Sequence, residues 1–246
     1  MNKPNQTDLS AAIGVPSPTM QKRIAAAAKA FPYRLELRTA IRNAIGWNAY
    51  RPVSVSKIAE TERIAKKAGP IVDRYLRKVE RGECDSSEFR KCAIGVAEAL
   101  GVDPKKPEGR LEDITFGNIQ KLVNISAKHS YIRAFLENMK VSGDWFVNPK
   151  SPRNNFRHCH CPMDRILMKR TLAEYRGKVR SFVEGCWSSI AWSKIVFGKT
   201  QNRFSISYYE RFQDMVKELA ASEGILPVEY DIVHWEAGRR HYPSYA

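Results

Sequence analysis

The chain has 246 residues, 43% of them hydrophobic, with 41 Lys+Arg against 26 Asp+Glu and a formal net charge of +15, which supports a sizeable core and argues against wholesale disorder. No stretch approaches roughly 18 uninterrupted apolar residues, the opening MNKPNQTDLSAA lacks a hydrophobic signal segment, and five dispersed cysteines do not make a disulfide framework. A membrane-spanning or secreted protein is therefore not expected; the expectation is a basic, cytoplasmic protein drawn to polyanions, because each phosphate it neutralises releases counterions.

In chain order the predicted elements are all helical. Residues 1–18 form a polar N-terminal segment. A helix follows over Thr19–Ala30, stopped by Phe31-Pro32, and a second over Tyr33–Tyr50, ended by Arg51-Pro52. Two charged helices are expected at Ser54–Ala68 and Pro70–Arg81, the second opening on a proline. The next is capped by Asp85 or Ser86 and buries Phe89, Cys92, Ala93, Val96 and Leu100, spaced at three and four, before Gly101 ends it. These helices make an N-terminal layer over 19–110, closed by the polar connector VDPKKPEGR.

Residues 111–246 make the second layer. A short turn at Leu111–Phe116 and Gly117 precede a long helix from Asn118 to Met139, with Leu122, Val123, Ile132 and Phe135 facing the core. Val141–Cys161 has no helical period and reads as a basic insertion or loop. Helices resume at Met163–Tyr175, Val179–Val196, Tyr208–Glu223 and Val228–Arg239. No alternating strand pattern appears. The fold class expected is all-α, two helical layers sharing a core.

Charge is concentrated. Lys140–Arg203 holds 13 bases against 4 acids, whereas Phe204–Ala246 has 7 acids and 4 bases. Four features can carry chemistry. His158-Cys159-His160-Cys161 offers four metal-ligand types, but an extended segment puts the histidines on one face and the cysteines on the other, so burial against the next helix is the preferred reading and no metal is expected. Lys121 and Lys128 lie seven residues apart, on one helical stripe. A lysine near a helix start, desolvated by apolar neighbours, is disfavoured in its charged form and is a candidate nucleophile; two exposed lysines are the alternative. Asp164, in Pro162-Met163-Asp164, is a candidate carboxylate or simply an N-cap. Asp231 and Trp235 stand one turn apart, able to bind a base edge and stack on its ring, or equally to be a surface acid and a core tryptophan.

The segments NIQKLVNISAKHSY, CPMDRIL and YYERFQDMVKELAASEGILPVEYDIVHWEAGR occur in an order that resembles helix-hairpin-helix DNA glycosylases, most closely the archaeal type that removes 8-oxoguanine. The resemblance covers about Gly117–Arg239. It implies a helix-hairpin-helix element with the active site between the two layers, Lys121 as a Schiff-base lysine, Asp164 as the catalytic aspartate, and Lys128, Asp231 and Trp235 lining a pocket for a flipped base. DNA contacts are then expected from Gly117 of the hairpin and from Lys150, Arg153, Arg157 and Arg165. The partner is duplex DNA carrying a damaged or modified base, bound by a nucleoid-associated monomer without a membrane role. The iron–sulfur cluster of some relatives needs four closely spaced C-terminal cysteines; none follows Cys186, and no cofactor is expected.

The chain departs from the family in its single hairpin glycine, in the 43 residues between Lys121 and Asp164, and in lacking a clear second base-stacking tryptophan, for which Trp47 is the nearest candidate. The excised base can therefore be of the 8-oxoguanine type or bulkier, including modified bases of viral DNA, which would suit antiviral defence. Non-catalytic binding of DNA by a helical protein is the alternative, and a helical RNA-binding or protein-interaction module a third.

Overall fold

The structure, a computed structural model, describes residues 14–31, 35–44, 55–102, 116–148, 150–174 and 206–240. The expected helix at Val179–Val196, the turn and hairpin before Phe116, the connector after Val102, and Trp47 and Cys186 lie outside them. Every regular element among the described residues is helical, and no described helix is long and apolar enough to cross a membrane.

α1 spans Pro18–Lys29 and starts as its sequence dictates: Ser17 Oγ accepts the Met20 N–H, and Pro18 occupies a first-turn position where its missing N–H costs nothing. α2 spans Leu37–Ala44 and buries Ala40, Ile41 and Ala44. The two charged helices expected at 54–81 are one, α3, Val55–Glu80, with Pro70 inside it. The residue before that proline is Gly69, which has no Cβ to clash with the ring, so the usual bar to a helical residue before proline is relaxed. A Cβ at Gly69 would also come within 3.1 Å of Leu37 Cδ2, where α2 lies against α3. α4, Glu88–Leu100, buries the five residues expected of it and ends on Gly101, left-handed at φ 71°.

α5, Phe116–Val141, begins earlier than Gly117 was expected to allow, so this glycine is a helix residue and not a separator. α5 is the axis of the molecule: α1, α2, α3, α4 and the C-terminal helix all pack on it. Residues 141–161 are not an appended insertion. The segment folds back as a 3₁₀ turn at Pro152–Phe156 capped by Ser151, and it drives Trp145, Phe156, Cys159 and Cys161 into the core. It lacks helical period because a buried irregular segment obeys the shape of its surroundings and not a repeat.

α6 spans Arg165–Glu174. α7, Ile206–Ser222, is closed by Gly224 at φ 69°, with Ile225 N–H bonded back to Ala220 O. At the start of α8, Pro227–Arg240, the Glu229 side chain reaches back over the first turn, its Oε2 accepting the Leu226 N–H at 2.8 Å. α1 packs on α8, and buried side chains from Met20 to Val233 form one connected core that spans both halves of the sequence.

Candidate active site

From Gly117 to Ile132, α5 is buried on every side except at Asn118 and Lys121. A helix enclosed all round is normally apolar, yet this one carries Gln120, Asn124, Lys128 and His129 in its buried stretch. Lys121 is thus a cation at one of two openings along an interior helix. Burial pulls its pKa down from the ordinary lysine value, and the nearby Asp164 carboxylate opposes that shift. The helix dipole is not the cause: with α5 starting at Phe116, Lys121 sits in the second turn, beyond the reach of the end charges.

Asp164 is held near enough to act on the Lys121 charge because the segment before it is pinned. Gln213 of α7 brackets Cys161, its Oε1 accepting the Cys161 N–H at 2.9 Å and its Nε2 donating to Cys161 O at 2.8 Å. Asn124 Nδ2 also donates to Cys161 O. Gln120 brackets Met163 in the same way, at 3.0 and 3.2 Å. Asp164 then caps α6: its Oδ1 accepts the Leu167 N–H at 2.9 Å, so the cap role weighed from sequence is present. Asp164 remains half-buried, and its carboxylate acts on the Lys121 charge.

Lys128, Asp231 and Trp235 meet one another. Lys128 Nζ lies 2.9 Å from Asp231 Oδ2, and both side chains are buried. The same ammonium stands 5.0 Å from the centre of the Trp235 ring and 5.6 Å from that of Phe31, both cation–π distances. Burial raises the Asp231 pKa to about 6, against the pull of Lys128 and with a push from Asp164. Asp164 therefore acts electrostatically on both Lys121 and Asp231. Asp231 Oδ1 has no hydrogen-bond partner among the described residues, a buried acceptor left unsatisfied. Two buried opposite charges beside two aromatic faces are an expensive arrangement for a core, where an apolar pair of equal volume is often no less stable.

The expected DNA contacts divide. Lys150 and Arg157 are exposed, the latter donating through Nε to His158 at 3.0 Å. Arg153 is a correction. It is buried, and its guanidinium forms two bonds to Glu229, at 2.7 and 2.8 Å, with longer contacts to Gly14 O and Gly224 O. Glu229 also accepts from Tyr131 Oη, which in turn accepts from Trp145 Nε1 at 2.8 Å. Arg153 thus ties the 3₁₀ turn to α8 and offers nothing to a phosphate. Gly117 is likewise buried, its carbonyl accepting from Gln120 Nε2, which does not match a hairpin contact to DNA. The Arg165 side chain lies outside the described residues.

In the His-Cys-His-Cys run, Cys159, His160 and Cys161 are buried and His158 is half-buried. His160 Nδ1 pairs with Tyr209 Oη at 2.9 Å, and burial lowers its pKa to about 3. Among the described residues no group of three or more His, Cys, Asp or Glu is placed to hold a metal ion.

Gln120, Asn124, Gln213 and Phe31 were not singled out from sequence. For the first two a signal existed, since Gln120 and Asn124 stand four residues apart beside core positions, where polar side chains are costly unless bonded. Gln213 and Phe31 carry no comparable local signal, because their partners lie far along the chain. No protein-family model matches the chain, and no curated protein or solved structure matches it.

Proposed function

We propose that the protein is a DNA glycosylase, with an accompanying lyase step, that removes a damaged or modified base through Lys121 and Asp164. The observation that carries this reading is a desolvated lysine at an opening of an interior helix, coupled to a fixed carboxylate, with a second charged pair and two aromatic rings beside it. The helix-hairpin-helix element and a site set between two helical layers belong to the same proposal.

A depressed pKa enlarges the fraction of Lys121 present as free amine near neutral pH. That amine attacks C1′ of the deoxyribose as the C1′–N bond breaks. The bonding electrons leave with the base, which takes up a proton. The Asp164 carboxylate, ionised and already oriented by its cap bond, stabilises the positive charge that develops on the sugar. Loss of the amine proton and opening of the sugar ring give an imine. Removal of a C2′ proton then expels the 3′ phosphate and cleaves the strand. A base stacked in a duplex is out of reach, so it must be turned out, at about a few kcal/mol, offset by backbone contacts and stacking. Trp235 and Phe31 supply faces, Asp231 Oδ1 an acceptor, and the Lys128 ammonium a donor.

Borohydride reduction of mixtures with duplexes carrying candidate bases tests the reading, since it traps the imine as a stable adduct. Wild type is expected to form one and Lys121→Gln none. Absence of an adduct on every substrate, or equal trapping by Lys121→Gln, would remove the proposed role and leave non-catalytic DNA binding.

A further inference from the structure

Gln120 is fully buried, and all of its bonding capacity is used. Its Oε1 accepts the Met163 N–H at 3.0 Å and the Asn124 Nδ2 at 3.2 Å; its Nε2 donates to Met163 O at 3.2 Å and Gly117 O at 3.1 Å. An amide that holds both backbone groups of one distant residue acts like a rung of sheet between two elements that are not strands. That rung joins α5 to the loop entering α6 at a position with a consequence for chemistry. The next residue on one side is Lys121 and the next on the other is Asp164. From this geometry we infer that Gln120 is a positioning residue, setting the separation and orientation of the Lys121 amine and the Asp164 carboxylate. The inference rests on the glycosylase reading for its effect on rate, though not for its effect on the two charges.

The neighbouring amides supply a comparison within the same molecule. Gln213 holds the N–H and C=O of Cys161 with the same pair of bonds, at equal burial, three residues ahead of Asp164 instead of one. Removing Gln120 orphans both backbone groups of Met163, whereas removing Gln213 orphans the Cys161 N–H and leaves Cys161 O its bond from Asn124 Nδ2, so both losses destabilise the same segment and the Gln120 variants should do so somewhat more. Removing Gln120 alone frees the residue adjoining the carboxylate, and misplacement by about 1 Å costs on the order of 100-fold in rate.

The test compares Gln120→Leu and the straighter Gln120→Met with Gln213→Leu, all in the full chain. Three quantities are read: melting temperature, single-turnover base release at saturating duplex, and the Lys121 titration followed by NMR with lysine labelled at Cε. Asp164 holds the Lys121 pKa up against burial, so letting the carboxylate drift should lower that pKa further. The expected result, with rates measured well below each variant's melting transition, is a lowered melting temperature in all three, a fall in base release of about 100-fold for the Gln120 variants against less than about 10-fold for Gln213→Leu, and a downward Lys121 shift only in the former. A Lys121 titration unchanged in both Gln120 variants, with rates that follow melting temperature across all three proteins, would overturn the inference. A wild type that releases no base, alongside a Gln120-specific shift of Lys121, would sink the glycosylase reading while upholding Gln120 as the element that sets the pair.

Discussion

Replacing Asp164 by Asn separates the two jobs its carboxylate holds. As an N-cap, Asp164 accepts the Leu167 N–H through Oδ1 at 2.9 Å. Asn ranks with Asp at this position, so Asp164→Asn should change stability by no more than about 0.5 kcal/mol. In a chain of this length that is a melting shift within roughly 2 °C. Asp164→Ala, which loses the cap, should cost about 1 kcal/mol, or roughly 2–4 °C. The charge is a different matter. A fixed group facing a developing charge contributes about 10²–10³-fold in rate, and the neutral amide cannot supply it. Nor can reprotonation of Lys121 explain a slow variant: removing the carboxylate removes the influence that holds the Lys121 pKa up, so more free amine is present. The assay is single-turnover release of base, with duplex affinity and thermal melting measured on the same preparations. Base release by Asp164→Asn at the wild-type rate would show the carboxylate to be only a cap, and a loss of duplex affinity beyond a few-fold would show it to be a DNA contact.

Three further outcomes follow from the geometry. Arg153→Met leaves Glu229 buried without its cation, a loss of about 3–5 kcal/mol that should lower the melting temperature by roughly 6–20 °C; a variant that melts normally but binds DNA more weakly would return Arg153 to the interface. Replacing exposed Lys150 and Arg157 together by Ser should weaken binding to all duplexes and reduce the salt slope by up to about 2, without altering which base is removed; a change of base would assign them to the pocket. Lys121 has a folded pKa below its unfolded value of 10.5, so the unfolded chain binds that proton more tightly and stability rises with pH from the lowered value up to 10.5. Lys121→Met should therefore be more stable than wild type at pH 7, with a flatter dependence across that window; identical slopes in chemical denaturation would refute the desolvation of Lys121.

Much of the helical framework is legible because its causes are local. Ser17 before a proline, the three-and-four spacing of Phe89, Cys92, Ala93, Val96 and Leu100, and Gly101 after them each act within a turn or two of chain. The departures have two physical sources, a local compensation beside Pro70 and long-range burial elsewhere. Pro70 looks like a helix start until Gly69 is seen to relieve its clash, and residues 141–161 look like an insertion because a buried irregular segment has no period. Arginine is usually exposed, and nothing near Arg153 announces that its partner Glu229 lies 76 residues away.

The candidate site divides along the same line. Residue types and helical stripes nominate Lys121, Lys128, Asp164, Asp231 and Trp235, since amines, carboxylates and indoles have their chemistry wherever they stand. Tertiary structure alone decides which of them meet, and how burial alters their charges. Lys128 joins Asp231 across the junction of α5 and α8, and the amides of Gln120 and Gln213 hold the chain leading to Asp164. Helix periodicity and capping depend on neighbours along the chain, whereas desolvation and ion pairing depend on what long-range packing excludes from water. The helical class, the ends at Gly101 and Asp164 and the amphipathic core faces could accordingly be read residue by residue, whereas the α4 cap expected at Asp85 or Ser86 falls on Ser87 without a side-chain bond. That Arg153 belongs to the core, and that Lys121 sits at one of two openings in the buried stretch of α5, came only with the assembled fold.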